Sequence, residues 1–232
     1  MKFFILCAGL GKRISKYSNN KPKCLIKYLD KPLLEHWINK FNTKKNVLLI
    51  NKHYQYKHID NFIKNIQTRC EVNTVYEEKL LGSLGTIIKN VDYIKKTKNF
   101  VVVYSDSFSK FNFSEFYKFH LKHKSKCTLL LYKTNYINES GIAHINKNNK
   151  IIKFIEKPKF SKSNLASAGI YIINTKYFIN KLKYKNFNFP IDLSKDFIEN
   201  SFDEDFFGYV TNSFIPFGNN KDYENIINSK CK

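Results

Sequence analysis

The residues best suited to chemistry lie near the amino terminus. An apolar run, Phe3-Phe4-Ile5-Leu6-Cys7, leads into Ala8-Gly9-Leu10-Gly11-Lys12-Arg13, and Lys21-Pro22-Lys23-Cys24-Leu25 follows. A buried strand that ends in closely spaced glycines lets backbone N–H groups approach a polyphosphate with no Cβ in the way. The cations Lys12, Arg13 and Lys23 would neutralise such a ligand, so a nucleoside triphosphate is the chemistry this spacing suits. The glycines alone do not decide it. A dinucleotide fingerprint needs a glycine at position 14, which is Ile14, and a Walker-type loop needs a hydroxyl after its lysine, where Arg13 stands. A tight strand-to-helix turn carrying incidental surface lysines is the plain alternative. A second candidate is Asp106, which follows the apolar run Phe100–Tyr104. A carboxylate there could hold Mg²⁺ beside a triphosphate, or merely cap the next turn.

These residues need a framework that brings strand ends together. Short β-branched or aromatic runs predict strands over Lys2–Cys7, Asn46–Asn51, Glu71–Tyr76 and Phe100–Tyr104. Helical patterns lie between them, over 32–38, Tyr56–Ile66 and Gly85–Ile94. Strand–helix–strand repetition implies an α/β fold of Rossmann-like type, a mixed, mostly parallel sheet flanked by helices. Further on, Ile142–Ile145 and Ile151–Ile155 flank the turn-forming Asn146–Lys150, a hairpin. Cys127–Thr134 and Ala168–Ile173 add strands, and Asp222–Asn228 a closing helix. In such sheets ligands bind beyond the carboxyl ends of strands, where both Ala8–Arg13 and Ser105-Asp106 fall.

The 232 residues suffice for one domain, 1–232. No stretch has the apolar length of a membrane span, and the first apolar run reads as a core strand rather than a signal peptide, which makes a cytoplasmic location and no membrane partner the expectation. Five scattered cysteines (Cys7, Cys24, Cys70, Cys127, Cys231) suggest neither a disulfide framework nor a zinc site. The net charge of +21 would ordinarily suggest nucleic acid, but arginine occurs only at Arg13 and Arg69. The lysines are spread among Asn, Ile, Phe and Tyr, the residue set of an AT-rich coding sequence. No nucleic-acid partner is therefore expected, although the field would still draw in small anions.

Taken in order, the segments Leu6–Arg13, Pro22–Leu25, Lys31–Glu35, Leu81–Thr86, Ser105-Asp106, Phe154–Pro158 and Asn164–Tyr171 resemble the sugar-phosphate nucleotidylyltransferase family, which includes mannose- and heptose-1-phosphate guanylyltransferases. The resemblance implies that NMP passes from an NTP to a sugar phosphate. About 1–110 would form the nucleotide half, and about 111–232 the sugar-phosphate half. It implies nucleotide contacts from Leu6, Ala8, Gly9, Gly11, Lys12, Arg13, Lys23, Glu77, Gly82 and Ser105, with Arg13, Lys23 and Asp106 catalytic. Asp106 would bind Mg²⁺, and Gly141, Glu156, Lys157, Ser167 and Gly169 would meet the sugar phosphate. Homo-oligomer formation stays open.

Glu77 stands where the resemblance places a base-contacting side chain. A carboxylate accepts hydrogen bonds, which suits guanine's adjacent N1–H and N2 donors, with cytosine's amino group second. GTP is therefore the expected nucleotide and CTP the alternative; Glu78 could take the inward place instead. The resemblance implies a hexose or heptose 1-phosphate or a polyol phosphate as acceptor, which these residues do not separate, and a bacterial surface-glycan pathway by analogy only. Three positions depart from the family pattern. Pro216 stands where a second metal-binding aspartate is usual, Ser167 where an Asn is usual, and Lys12 where Thr or Ser is usual. These departures keep a catalytically weak nucleotide- or sugar-binding homologue as a further alternative.

Overall fold

A computed structural model of the chain describes residues 1–18, 20–183, 187–201 and 205–228. Cys231 lies outside them; Cys7, Cys24, Cys70 and Cys127 are buried free thiols. The architecture is α/β, a mixed, mostly parallel central sheet flanked by helices. The chain forms two compact units whose segments interleave.

The first unit comprises Phe3–Leu80, Val103–Ser109 and Ile215–Lys232. Its strands run in the order Lys2–Leu6, Val47–Lys52, Glu71–Tyr76, the last pair parallel and in register from Val47↔Glu71 to Lys52↔Tyr76. Phe3, Phe4 and Ile5 are buried, as the unbroken apolar run requires of an inner strand, whereas Glu71–Tyr76 has no buried residue and forms an edge. The helix Leu33–Lys40 begins after Pro32, whose fixed φ of −55° suits a helix entry. It buries Leu33, Leu34, Trp37 and Ile38. Phe3 meets Phe41 at 4.3 Å between ring centroids, and the Trp37 indole donates to the Ser107 carbonyl at 2.9 Å.

The second unit comprises Met1–Lys2, Leu81–Val102 and Lys110–Phe214. Here the strands run Ile151–Glu156, Gly141–Ile145, Leu165–Asn174, Asn99–Tyr104. Cys127–Lys133 lies antiparallel to Leu165–Asn174, and Phe206–Val210 lies parallel to Cys127–Lys133. The hairpin turn forms as expected: the Asn146 side chain accepts from the backbone N–H groups of Asn148 and Lys150, and Asn149 takes a φ of 61°.

Two expected elements shift. The helix over Gly85–Ile94 instead spans Gly82–Lys89, followed by the 3₁₀ turn Val91–Tyr93, because Gly82 begins the turn and Asn90 leaves the α conformation. The strand over Ala168–Ile173 extends to Leu165–Asn174 around a bulge between Ser167 and Tyr171. Phe113–Lys122, Thr175–Leu182, Phe206–Val210 and a π-helical turn, Leu193–Ile198, are further elements.

Candidate active site

In the first unit, the chain leaves the buried Lys2–Leu6 strand through Cys7–Gly11 and enters the 3₁₀ turn Lys12–Ile14. Gly11 has a φ of 63°, and its carbonyl accepts from Ile14 N–H at 3.1 Å. A Cβ on Gly11 would lie 3.4 Å from the Lys23 Cβ, so the loop packs directly on the Lys23 stem. A Cβ on Gly9 would meet nothing within 4 Å, leaving open space over the loop. Ala8 is buried and Leu6 half-buried.

Lys23 opens the 3₁₀ turn Lys23–Leu25 and is 9% exposed. Its ammonium lies 3.1 Å from Asp106 Oδ2, whose side chain is half-exposed. Burial works against the charge on Asp106, but the attraction and hydrogen bond from Lys23, aided by the field of Arg13, hold its carboxyl below the usual carboxylate range. The structure thus brings Lys23 and Asp106 together beside the glycine loop, with the exposed Arg13 adding its field at Asp106. Ser105 is not presented to a ligand in this way: its hydroxyl donates to the Leu6 carbonyl at 2.6 Å, and its N–H donates to the same oxygen at 3.2 Å. These paired hydrogen bonds fix the turn carrying Asp106 against the strand that feeds the loop.

Glu77 is 3% exposed, and its Oε1 accepts from the Asn51 amide at 2.8 Å, whereas Glu78 is exposed. Pro216 is exposed at the end of Phe214–Pro216, which pairs with Ser107–Ser109 just after Asp106. Asp222 caps the closing helix by accepting from Asn219 N–H at 3.2 Å. Among the described residues, no group of at least three His, Cys, Asp or Glu side chains is arranged to hold a metal ion. The single Asp106 carboxylate, half-exposed and paired with Lys23 through Oδ2, nonetheless fits Mg²⁺, which takes one or two protein oxygens when phosphates and water complete its shell.

The remaining candidates lie in the second unit. Gly82 has a φ of 79°, and a Cβ there would fall 2.2 Å from the Ile191 carbonyl oxygen. Gly141 pairs across the hairpin with Glu156, and a Cβ on it would meet Phe154 Cζ at 2.3 Å and Glu156 Oε2 at 2.6 Å. Gly141 therefore makes the room in which Glu156 sits. The Glu156 side chain is 16% exposed, and its Oε2 has no hydrogen-bond partner. Burial, then Asp192, raise its carboxyl to about 7; Lys157 opposes the rise and Glu199 adds to it. Lys157 itself is exposed, its ammonium 3.9 Å from Glu156 Oε1.

Ser167 donates to the Tyr171 hydroxyl at 2.9 Å and accepts from Gly169 N–H at 3.3 Å, while the Tyr171 hydroxyl meets Ser194 Oγ at 2.9 Å. Ser167 and Gly169 are thus joined at the bulge. Sequence reasoning missed Asn51, Asp192, Tyr171 and Ser194. For Asn51 the signal was a polar residue closing the apolar run Val47–Ile50; Tyr171 was indistinguishable from its apolar neighbours.

A pH test follows from Glu156. A carboxyl whose folded value is raised stabilises the fold below its unfolded value near 4.5, and that stability is lost as pH rises toward about 7. Glu156→Gln should remove the slope. The variant should gain about 2 kcal/mol on wild type between pH 5 and pH 8, less where solvent screens the group. Denaturant melts at both pH values check this, and parallel curves would contradict it.

The sequence profile of the nucleotidyl transferase family matches residues 2–213. The chain is 29% identical over 182 residues to mannose-1-phosphate guanylyltransferase 1 of Arabidopsis thaliana, covering 75% of this chain and 50% of that protein. It is 27% identical over 229 residues to D-glycero-alpha-D-manno-heptose 1-phosphate guanylyltransferase of Aneurinibacillus thermoaerophilus, covering 96% and 95%. The chain thus spans about half the length of some curated relatives and nearly all of another. The crystal structure of HddC from Yersinia pseudotuberculosis shares the fold, with a TM-score of 0.79 at 23% identity, covering 100% of this chain and 99% of that one. With the family profile spanning most of its length, the chain belongs to the nucleotidyl transferase family.

Proposed function

We propose that this chain transfers GMP from GTP to a hexose or heptose 1-phosphate, giving an NDP-sugar and pyrophosphate for bacterial surface-glycan synthesis. The observation that carries the reading is the glycine loop packed on Lys23, with Lys23 paired to Asp106 at 3.1 Å in the field of Arg13. A sugar-phosphate oxygen attacks the α-phosphorus, the bond to the bridging oxygen breaks, and pyrophosphate carries the electron pair away. The attacking phosphate is already ionised, so no protein nucleophile is required, and alignment with charge neutralisation supplies the acceleration. The backbone of Gly9–Gly11 and Arg13 would hold the pyrophosphate end, and Lys23 the α-phosphate. Asp106 would anchor Mg²⁺, which when bound neutralises phosphate charge.

In the second unit, the buried Glu156 and the Ser167 hydroxyl suit the hydroxyls of a sugar, and the exposed Lys157 suits its phosphate. Glu77 supplies the acceptor for guanine, and cytosine is the alternative base. The exposed Pro216 in place of a second acid supports one further reading, a nucleotide- or sugar-binding homologue with little turnover.

A pyrophosphate-release assay with GTP, CTP, UTP and dTTP against mannose and heptose 1-phosphates tests all three. Turnover is expected with GTP first. Turnover of another nucleotide with none of GTP would overturn the guanine assignment, and nucleotide binding without pyrophosphate from any pair would favour the binding-only homologue.

A further inference from the structure

We infer that Asn51 is a positioning residue that aligns Glu77 for reading the base and ties it to the start of the phosphate loop. The inference rests on the proposed guanine reading by Glu77 and extends it to a residue that touches no substrate. Three neighbouring strand ends are stitched by one side chain. The Cys7 N–H donates to Asn51 Oδ1 at 2.6 Å, and Asn51 Nδ2 donates to Glu77 Oε1 at 2.8 Å.

The geometry leaves no choice of amide orientation. A backbone N–H can only donate, so the oxygen of Asn51 must face Cys7 and its nitrogen must face the carboxylate. Asn51, Glu77 and Cys7 are 4%, 3% and 5% exposed, so water does not compete for these bonds. The main chain at Glu77 is held independently: its N–H donates to the Lys52 carbonyl at 2.9 Å, and its carbonyl meets His53 Nδ1 at 2.8 Å. The backbone anchors leave the carboxylate's rotation to be set by its side-chain contacts, among them the Asn51 donor. Cys7 immediately precedes Ala8-Gly9. One amide therefore sets both the base-side acceptor and the first backbone donor before the glycine loop.

Asn51→Asp separates this role from simple support of the fold. The introduced carboxylate still accepts from Cys7 N–H but offers Glu77 an acceptor instead of a donor. The readout is the ratio of kcat/KM for GTP over inosine triphosphate, which lacks the 2-amino group. Asn51→Asp should lower that ratio about tenfold, mainly through KM for GTP, an effect of the size a hydrogen bond to a charged group carries.

The double variant Asn51→Asp, Glu77→Gln restores a donor facing an acceptor. Its Tm should recover toward that of wild type while the ratio stays low. A fall in Tm with an unchanged ratio would make Asn51 merely structural and overturn the inference. If Asn51→Asp does not fold, Asn51→Ala is read by the same ratio with the same two outcomes. Glu77→Gln alone separates the layers. If it lowers the ratio and the Asn51 variants do not, only the positioning role fails; if it leaves the ratio unchanged, the guanine reading fails and takes the positioning role with it.

Discussion

Lys23→Ala is expected to lower kcat for nucleotidylyl transfer about 10³-fold, the scale lost when a preorganised charge stabiliser is removed from a transition state. The reason is position. The Lys23 ammonium is nearly covered and lies 3.1 Å from Asp106, with its stem under the glycine loop. A covered charge acts through a lower effective dielectric than an exposed one, so it contributes more to a phosphorus centre gaining charge. Arg13, being exposed, should matter less, and Arg13→Ala offers an internal comparison. The fold should survive Lys23→Ala, because Asp106 is half-exposed and water can replace the ammonium.

A second readout comes from Asp106. Its depressed carboxyl contributes stability present above its unfolded value and lost as pH falls through the lower folded value. Without Lys23 the attraction and hydrogen bond that hold it down are lost, so the Asp106 carboxyl should move upward toward the ordinary carboxylate range, visible in its side-chain carbon NMR titration. Near-normal turnover in Lys23→Ala would remove this residue from the mechanism. An unmoved Asp106 titration would contradict the ion pair itself.

Much of the site's first layer was legible in the chain because each residue there is of a type with one strong reason to be where it is. Glycines after an apolar run, a lysine behind a proline and an aspartate at a strand end are local signals. The two strand ends they predicted to share an edge are joined by the bonds from Ser105 to the Leu6 carbonyl. What was illegible depends on contacts distant in sequence. Asn51 and Glu77 are 26 residues apart and Cys7 and Asn51 are 44 apart, so no local pattern announces their bonds. Ser105 is a nucleotide contact only by resemblance, and no local pattern announced that its hydroxyl bonds the Leu6 carbonyl 99 residues away in sequence. For Glu156 the resemblance implied a sugar contact but no burial, and only the room made by Gly141 across the hairpin shows why it is buried. The elements missed outright, such as Leu193–Ile198 and Phe206–Val210, are short and carry no periodic stripe long enough to register.

Two glycines that look alike in the sequence should behave oppositely when given a methyl group. Gly82→Ala places a Cβ 2.2 Å from the Ile191 carbonyl oxygen and forces a side chain into a φ of 79°. The Ile191 backbone cannot step aside cheaply, since its carbonyl accepts from Leu84 N–H at 3.1 Å and its N–H donates to the Leu81 carbonyl at 3.0 Å. Left-handed strain and overpacking together should cost about 3 kcal/mol or more. In a chain of this length that is a fall in Tm of roughly 6–12 °C. Gly9→Ala meets nothing within 4 Å, so its Tm should stay within about 2 °C of wild type. The open space that spares the fold is where the proposed triphosphate would lie, and there a methyl group should weaken GTP binding at least tenfold. Thermal melts and nucleotide titration of the two variants decide the matter. Equal losses of Tm would mean that the protein itself needs Gly9, whereas unchanged GTP affinity in a stable Gly9→Ala protein would move the phosphates off this loop.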